Sequence, residues 1–225
     1  MPAHLDPTGR QGWFHTFLEQ AFLQELVFYQ QSAQALQLFL LPYQVIQLSH
    51  IATGLDLGGA EQGLLTVNSD AFFSDITVIN DIEVVKQKII SALDALDALH
   101  QAGWIHADLK TEHFRLYEDT CRLIDFEQSF RAEQPIQTLD ATPHYMAPEL
   151  FHGAGKSIQS DLYALGIIVY EWLAQSRLKA KTYHDWAVLH CQQLHIQLPT
   201  EFEVFLPLLK GLTQKHVKQR FNSVL

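Results

Sequence analysis

Ionisable residues are concentrated in one short stretch near the middle of the chain, residues 104–114, which read WIHADLKTEHF. Asp108 is followed two positions later by Lys110, and Asp125 stands at the end of an apolar stretch further along. This pattern suits phosphoryl transfer. One carboxylate orients the attacking hydroxyl or accepts its proton, the ammonium neutralises phosphate charge, and the second carboxylate holds Mg²⁺.

The composition indicates a globular protein that can bury a core around these groups. The 225 residues are 48% apolar and 18% charged, which predicts one domain or two small lobes that share a cleft. The formal net charge of −10 argues against a nucleic acid as the main partner, because binding to phosphates requires clustered Lys and Arg.

Targeting features also favour a cytoplasmic protein. Cys121 and Cys191 are too few for a disulfide framework. Residues 1–11 lack the basic and apolar regions of a signal peptide, and no uninterrupted apolar run reaches the roughly 18 residues of a membrane span. We therefore expect no membrane partner.

The clearest secondary-structure pattern precedes the ionisable stretch. Apolar residues recur every three or four positions over 82–100, with Asp81 as a predicted N-cap and Gly103 just past the end. Residues 114–117 and 121–124 flank a turn and predict a small hairpin that carries Asp125 at its exit. Residues 127–140 read as a loop. Later helices are predicted at 160–173, around 183–189 and over 202–212.

The front of the chain predicts a helix and a hairpin. The helical pattern runs from Trp13 to about Leu40, where Pro42 ends it. A strand over 43–51, a glycine-containing turn over 54–63 and a strand over 64–67 follow. Residues 71–73 are predicted to form a short helix.

The ordered set of motifs over residues 104–220 resembles the protein-kinase superfamily. Residues 106–110 resemble the catalytic loop of that family, residues 125–127 its Asp-Phe-Gly motif, and residues 141–149 the end of its activation segment. The resemblance implies that Asp108 is the catalytic aspartate and that Lys110 contacts the transferred phosphate.

The same resemblance implies further roles, each carried by one position. Asp125 matches the Mg²⁺ ligand, and Thr142 the threonine that bonds the catalytic aspartate and lysine. Asp161 resembles the buried helix aspartate that hydrogen-bonds the backbone of the catalytic loop. Glu149 and Arg220 resemble the structural ion pair that anchors the activation segment.

Several positions depart from the family pattern. Ala107 replaces the arginine that pairs with an activation-loop phosphate, and Glu127 replaces the glycine after Asp-Phe. His113 stands where the second metal ligand is normally Asn. Its imidazole is interpreted either as a metal ligand or as a group hydrogen-bonded within the loop.

The largest departure is at the front. Glu25 is the best match to the helix glutamate of the family, but the sequence has no lysine before Lys86 and no glycine-rich loop before Glu25. Glu25 is therefore interpreted as part of a solvated helix face. His190, Cys191 and His195 are interpreted as surface residues rather than as a metal site.

The resemblance implies an α+β, protein-kinase-like two-lobe fold. Residues 1–68 would form a reduced N-terminal lobe of one helix and a hairpin, and residues 69–225 a mostly helical C-terminal lobe with the catalytic loop and activation segment. Thr66, Val67 and Asn68 would form a hinge whose backbone contacts the adenine of ATP.

Three functions remain open at this point. The leading hypothesis is transfer of the ATP γ-phosphate to a protein Ser or Thr hydroxyl, with Mg²⁺ or alternatively Mn²⁺. The second is a catalytically inactive pseudokinase that acts as a binding or scaffold module. The third is a sugar or small-molecule kinase, because lipopolysaccharide core kinases resemble the chain at His113-Phe114. An exposed N-terminal helix would offer a surface for a protein partner or for oligomerisation.

Overall fold

The computed structural model describes residues 11–32, 38–47, 62–74, 76, 81–134 and 141–223. The described strands all lie before residue 134, together with two long helices, and the described elements after residue 141 are helical. In chain order the main elements are α1 (Gln11–Ser32), β1 (Tyr43–Gln47), β2 (Gln62–Thr66), β3 (Asp70–Ala71), α2 (Ile82–Gln101), β4 (Trp104–Ile105), β5 (Phe114–Tyr117), β6 (Thr120–Leu123), β7 (Phe130–Arg131), α3 (Ile158–Ala174), α4 (Tyr183–Val188) and α5 (Leu206–Leu212).

Short helical segments complete the described chain and connect these elements. Among the residues that the structure describes, none of the helices has both the length and the hydropathy of a membrane-spanning segment. The 3₁₀ helices are Thr111–His113, Pro143–Tyr145, Pro148–His152, Thr200–Phe205 and Val217–Gln219, and a π-helical turn covers Leu189–Gln193.

The predicted hairpin at the front is confirmed, although the predicted helix before it is too long. β1 and β2 pair antiparallel from Tyr43 opposite Thr66. α1 ends at Ser32, and Leu40 forms a parallel bridge with Leu123 instead of continuing a helix. The Leu123 N–H donates to the Phe39 carbonyl at 2.7 Å, so this buried backbone is paired with β6. Most of the predicted glycine turn lies outside the described residues.

The prediction of a short helix at residues 71–73 is wrong. Asp70–Ala71 is a strand that pairs with β5, and the ladder extends to a hydrogen bond from the Phe72 N–H to the Phe114 carbonyl at 3.0 Å. Phe72 and Phe73 are both buried. An apolar run this short does not distinguish a strand from a helix by its period, so tertiary packing decides.

The predicted helix before the ionisable stretch is confirmed as α2. The Asp81 Oδ1 accepts a hydrogen bond from the Glu83 N–H at 2.8 Å, which caps the first turn. Its buried face follows the predicted period. Gly103 has φ of 80°, a conformation that glycine adopts without strain, and it turns the chain into β4. The buried residues of α2 are Val85, Ile89, Ala92, Ala95, Leu96 and Leu99.

The hairpin that leads to Asp125 is also confirmed. β5 and β6 pair antiparallel, and the turn residues Glu118 and Asp119 both have positive φ. The prediction that residues 127–140 form a loop missed β7, which pairs with β4 through Trp104 opposite Arg131 and Ile105 opposite Phe130. Two-residue strands carry too little periodicity for the sequence to indicate them.

Helix α3 is the most buried helix among the described residues after residue 141. A capping box between Ser157 and Ser160 begins it, and most of its side chains are buried. A Cβ added at Gly166 would lie 2.8 Å from side-chain atoms of Leu212 and Thr213, so the absence of a side chain allows the segment containing α5 to approach closely. One contiguous apolar cluster extends from α1 to α5 among the described residues.

A buried ion pair anchors the segment after residue 141, as predicted. The Arg220 guanidinium donates to both carboxylate oxygens of Glu149, at 2.7 and 2.8 Å, and also to the Gln159 carbonyl. The side chain of Arg220 is fully buried, so this bidentate pair replaces the water that both groups lose. It joins residues 148–152 to α3 and to the end of the described chain.

The interpretation of His190 as a surface residue is wrong. Its side chain is buried, its Nδ1 lies 2.9 Å from the Tyr163 hydroxyl, and burial lowers its pKa to about 4. The imidazole is therefore a neutral core group at pH 7. Its neighbour Cys191 is half-buried.

Candidate active site

Asp108, Lys110 and Thr142 lie together. The Asp108 Oδ2 is 2.9 Å from the Lys110 Nζ. The Asp108 Oδ1 accepts hydrogen bonds from the Thr142 N–H at 3.1 Å and from the Thr142 hydroxyl at 3.0 Å. Residues from two distant segments therefore hold this carboxylate in one orientation, and the predicted hydrogen bond between Thr142 and Asp108 is present.

Both members of the Asp108–Lys110 pair are charged at neutral pH. Burial raises the pKa of the Asp108 carboxyl, but the hydrogen bond and charge of Lys110, with the Thr142 donors, outweigh burial and hold the pKa below its usual value. Burial likewise lowers the pKa of the Lys110 ammonium, and the neighbouring carboxylates of Asp108, Asp125 and Glu112 more than reverse that effect. The carboxylate can accept a hydrogen bond from a hydroxyl, and the ammonium can stabilise phosphate charge.

The backbone before Asp108 is held from α3 by Asp161. Ala107 has φ of 72°, an unfavourable conformation for a residue with a Cβ. The Asp161 carboxylate accepts hydrogen bonds from the His106 N–H at 2.8 Å and the Ala107 N–H at 2.9 Å. The His100 Nε2 lies 3.0 Å from the same carboxylate. Asp161 thus holds the backbone of the loop through two hydrogen bonds, which is the role that the resemblance implies for it.

Asp125 is oriented by His113. The His113 Nε2 lies 3.0 Å from the Asp125 Oδ2, and the Ile124 N–H donates to the His113 carbonyl at 3.1 Å. This side-chain hydrogen bond is the main reason that the pKa of Asp125 is lowered. Asp125 has φ of 65°, in the left-handed region that Asp tolerates better than most residues.

Asp125 suits a divalent metal better than His113 does. An ionised, partly exposed carboxylate is a ligand that Mg²⁺ prefers. The His113 Nε2 faces Asp125, and its Nδ1 is buried with no hydrogen-bond partner among the described residues, so neither nitrogen is directed at an open position. The metal-ligand role of His113 stays a prediction, and this geometry counts against it.

A bound metal would need ligands beyond those of the protein. No group of three or more His, Cys, Asp and Glu side chains in the described part of the chain is arranged to hold a metal ion. Mg²⁺ is commonly bound through one or two carboxylates together with waters and substrate phosphates. The donors present are therefore compatible with a metal that arrives with a nucleotide.

The interpretation of Glu25 as a solvated residue is wrong. Its Oε1 accepts a hydrogen bond from the Phe126 N–H at 3.2 Å, which places the carboxylate next to the Asp125 segment. Burial raises the pKa of Glu25, and the nearby carboxylates of Asp125 and Glu127 raise it further. The pKa of Glu127 is raised by burial and by Asp125 as well. This side of the site is therefore rich in carboxylates.

Aromatic packing joins α1 to the loop that carries Asp108. The Phe126 ring stacks on Phe28 with centroids 4.0 Å apart, and it lies 5.2 Å from the His106 ring. Burial and the neighbouring His113 lower the pKa of His106 to about 4, so the imidazole is neutral in this apolar setting. The Phe126 ring is therefore packed between Phe28 and His106, and this packing holds the backbone next to Asp125.

The predicted hinge residues begin at the last residue of the front hairpin. Thr66 ends β2, opposite Tyr43, and the Val67 N–H donates to the Pro42 carbonyl at 3.3 Å. Thr66, Val67 and Asn68 are all exposed, between the front hairpin and β3. Their contact with an adenine stays a prediction.

The sequence does not predict two contacts of the site, that of His100 with Asp161 and that of Glu25 with Phe126. His100 was assigned only to the end of the helix before the loop, and Glu25 to solvent. The partner of each lies far along the chain, in Asp161 and Phe126, and no local pattern indicates such a pair. The match of Glu25 to the helix glutamate of the family was the one sequence feature that could have indicated its place in the site.

Replacing Glu25 with glutamine should raise the melting temperature by roughly 2 °C at pH 7. The amide oxygen still accepts the Phe126 N–H, and the buried charge is removed. A carboxyl whose folded pKa exceeds its usual 4.5 destabilises the fold above that folded pKa, and the penalty disappears once the pH falls below 4.5. The melting temperatures of variant and wild type should therefore converge in acid.

Thermal unfolding at neutral and acidic pH tests this expectation. Glu133→Gln, at an exposed position, is the matched control and should leave the melting temperature unchanged. A lower melting temperature for Glu25→Gln at pH 7 would mean that the carboxylate has a stabilising partner, contrary to the environment described above.

The fold and the site define a protein of the kinase-like class. Asp108 contacts Lys110 and a threonine from an activation-type segment, Asp125 is held by His113, and the buried Asp161 supports the loop. A family model described as "Protein kinase domain" matches residues 66–223. The chain belongs to the protein kinase domain family.

Curated relatives are similar over parts of the chain. "Probable serine/threonine-protein kinase PknB" of Lactococcus lactis is 34% identical over 149 residues, covering 60% of this chain and 23% of the relative. "Probable LIM domain-containing serine/threonine-protein kinase" of Dictyostelium discoideum is 33% identical over 121 residues, 52% of this chain and 17% of the relative. The cGMP-dependent protein kinase of Toxoplasma gondii is 35% identical over 86 residues, 38% of this chain and 9% of the relative. The chain thus spans less than a quarter of the length of each of these relatives.

Proposed function

We propose that this chain transfers the γ-phosphate of ATP to a Ser or Thr hydroxyl of a protein. The observation that carries the proposal is the Asp108 carboxylate, which Lys110 and Thr142 hold ionised and oriented. The negative charge of Asp125 contributes to the raised pKa of Lys110, so the second carboxylate also interacts electrostatically with this ammonium. Two carboxylates and one ammonium are among the groups that phosphoryl transfer uses.

In this proposal each residue has one role. Asp108 accepts the hydrogen bond of the acceptor hydroxyl and then its proton, and Lys110 stabilises the charge of the transferred group. Asp125 holds Mg²⁺, or Mn²⁺, and His113 positions the Asp125 carboxylate through the Nε2 hydrogen bond. The metal supplies neutralisation of phosphate charge when bound.

The proposal includes the two-lobe arrangement. Residues 1–68, with α1 and the front hairpin, form the reduced N-terminal lobe, and residues 69–225 form the helical C-terminal lobe. The exposed backbone at Thr66, Val67 and Asn68 contacts the adenine of ATP in the segment that joins them. The position of Thr66 to Asn68 between β2 and β3 supports this assignment.

An inactive pseudokinase is the second candidate, and two observations favour it. The sequence contains no lysine before Lys86, and the Glu25 carboxylate lies among other carboxylates. One cationic contact to the nucleotide phosphates is then missing from the front of the chain. In that function the same surfaces bind a protein partner, and α1, which exposes Leu23 and Val27 one turn apart, supports self-association.

Nucleotide binding and transfer separate these candidates. With ATP at about one hundred times its dissociation constant, ligand linkage adds about 2.7 kcal/mol to the free energy of unfolding, which raises the melting temperature by several degrees. The increase should require Mg²⁺ or Mn²⁺. No increase at millimolar ATP with either metal would contradict nucleotide binding and favour the scaffold function.

The acceptor is tested with labelled ATP. Incorporation into Ser- and Thr-containing peptides supports the proposal, whereas incorporation into monosaccharides but not peptides supports a sugar kinase, the remaining alternative. Binding of ATP without transfer to any acceptor would leave the pseudokinase as the function.

A further inference from the structure

A basic surface lies beside the candidate active site in an otherwise acidic chain. Arg177, Lys179 and Lys181 fall within five residues of one another, whereas the whole chain has 15 Lys and Arg against 25 Asp and Glu. All three are exposed, and the side chain of Arg177 is 68% exposed. We call these three residues the basic loop.

Hydrogen bonds connect the basic loop to the segment that contains Asp108. The Arg177 Nη2 donates to the Tyr145 hydroxyl at 3.2 Å, and that hydroxyl lies 3.1 Å from the Thr111 Oγ1. Thr111 follows Lys110 directly. The guanidinium is therefore two hydrogen bonds away from the catalytic loop, and Tyr145 belongs to the same segment as Thr142.

The acidic groups nearest in sequence are already engaged. Glu171, which is buried, accepts hydrogen bonds from the Leu178 N–H and lies 2.6 Å from the His144 Nε2. Asp185 accepts the Thr182 N–H in the capping box of α4. Arg177 lies only at the limit of ion pairing with Glu171, at 3.9 Å. In the described part of the chain the ammonium groups of Lys179 and Lys181 have no carboxylate partner.

A backbone hydrogen bond at Leu178 holds the basic loop so that its charged side chains are exposed. The Leu178 N–H is bonded to the buried Glu171, while residues on either side of Leu178 are exposed. Lys179 and Lys181, together with the largely exposed guanidinium of Arg177, create a local positive potential, which favours a ligand of opposite charge.

We propose that the basic loop binds acidic residues of the protein acceptor and thereby selects acceptors in which Asp or Glu lie near the phosphorylated Ser or Thr. The inference rests on the proposed function, because it names the class of acceptor that the same site uses. The charge of the loop, its exposure and its connection through Tyr145 to the catalytic loop all support an acidic polypeptide.

The test measures peptide binding separately from catalysis. Fluorescence anisotropy gives the dissociation constants of two labelled peptides, one with four Asp or Glu around a Ser and one with Asn or Gln at the same positions. The protein is the full chain carrying Asp108→Asn. We expect the acidic peptide to bind at least about tenfold more tightly, and the difference to shrink as salt is raised.

Charge reversal identifies the surface. Lys179→Glu with Lys181→Glu should weaken binding of the acidic peptide by roughly tenfold or more, and leave the neutral peptide nearly unchanged. The matched control is Lys210→Glu with Lys218→Glu, which makes the same change in net charge at exposed positions on other segments. Arg177 is left intact because it contacts Tyr145.

The outcomes separate the inference from the proposed function. Equal binding of the two peptides, or equal losses in the two double variants, overturns the inference. Anionic vesicles or RNA that bind the loop more tightly than the acidic peptide also overturn it. Selective peptide binding without phosphate transfer to any acceptor by the wild type contradicts the proposed function, whereas the basic loop remains a site for acidic peptides.

Discussion

Replacing Asp108 with asparagine should lower the rate of phosphate transfer by about a thousandfold, because a positioned general base typically contributes two to four orders of magnitude. The amide oxygen can still accept the hydrogen bonds from Thr142, so the loop keeps its shape. The lost pair with Lys110 is partly exposed and contributes little to stability. Initial rates of labelled phosphate transfer and the melting temperature measure the two effects separately.

Asp119→Asn is the matched control for this variant. Asp119 is exposed in the turn between β5 and β6 and has φ of 59°, which asparagine also adopts. The control should keep the wild-type rate. An Asp108→Asn protein that retains more than about a tenth of the wild-type rate would show that another group performs the chemistry.

Replacing Asp161 with alanine should lower the free energy of unfolding by about 4 kcal/mol, among the larger effects of a single substitution. The change leaves the buried N–H groups of His106 and Ala107 without an acceptor and removes the partner of His100. Ala107 can then leave its left-handed conformation, so phosphate transfer should fall together with stability. Urea unfolding measures the loss of stability.

Hydrogen exchange at residues 105–110 reports the order of the loop in the same variant. Asp94→Ala provides the control, since Asp94 is exposed on α2 and its removal should change stability by less than about 0.5 kcal/mol. Unchanged unfolding and unchanged exchange in Asp161→Ala would contradict the supporting role of this carboxylate.

Elements with strong local signals were predicted correctly. α2 has a cap, an apolar period and a terminal glycine, and the hairpin before Asp125 has a polar turn between two apolar runs. The motif set around Asp108 also identified which residues meet, because the residues that support each other there, Asp161 and Thr142, belong to recognisable segments.

The errors concern contacts that depend on tertiary packing. The burial of Glu25 depends on Phe126, which follows about a hundred positions later, and the end of α1 depends on pairing of Phe39 and Leu40 with β6. His113 was placed at the right motif position, but the direction of its Nε2 is set by Asp125 on a different segment. Sequence periodicity reports which face of an element is apolar and carries no information on such pairs.

Helix α3 supplies the carboxylate on which the shape of the catalytic loop depends, and most side chains of that helix are buried. Unfolding of this helix would therefore remove the acceptor that holds the loop in its observed geometry. On heating, the rate of transfer should decline over the same temperature interval as the cooperative melting of the whole domain, without an earlier phase of inactivation.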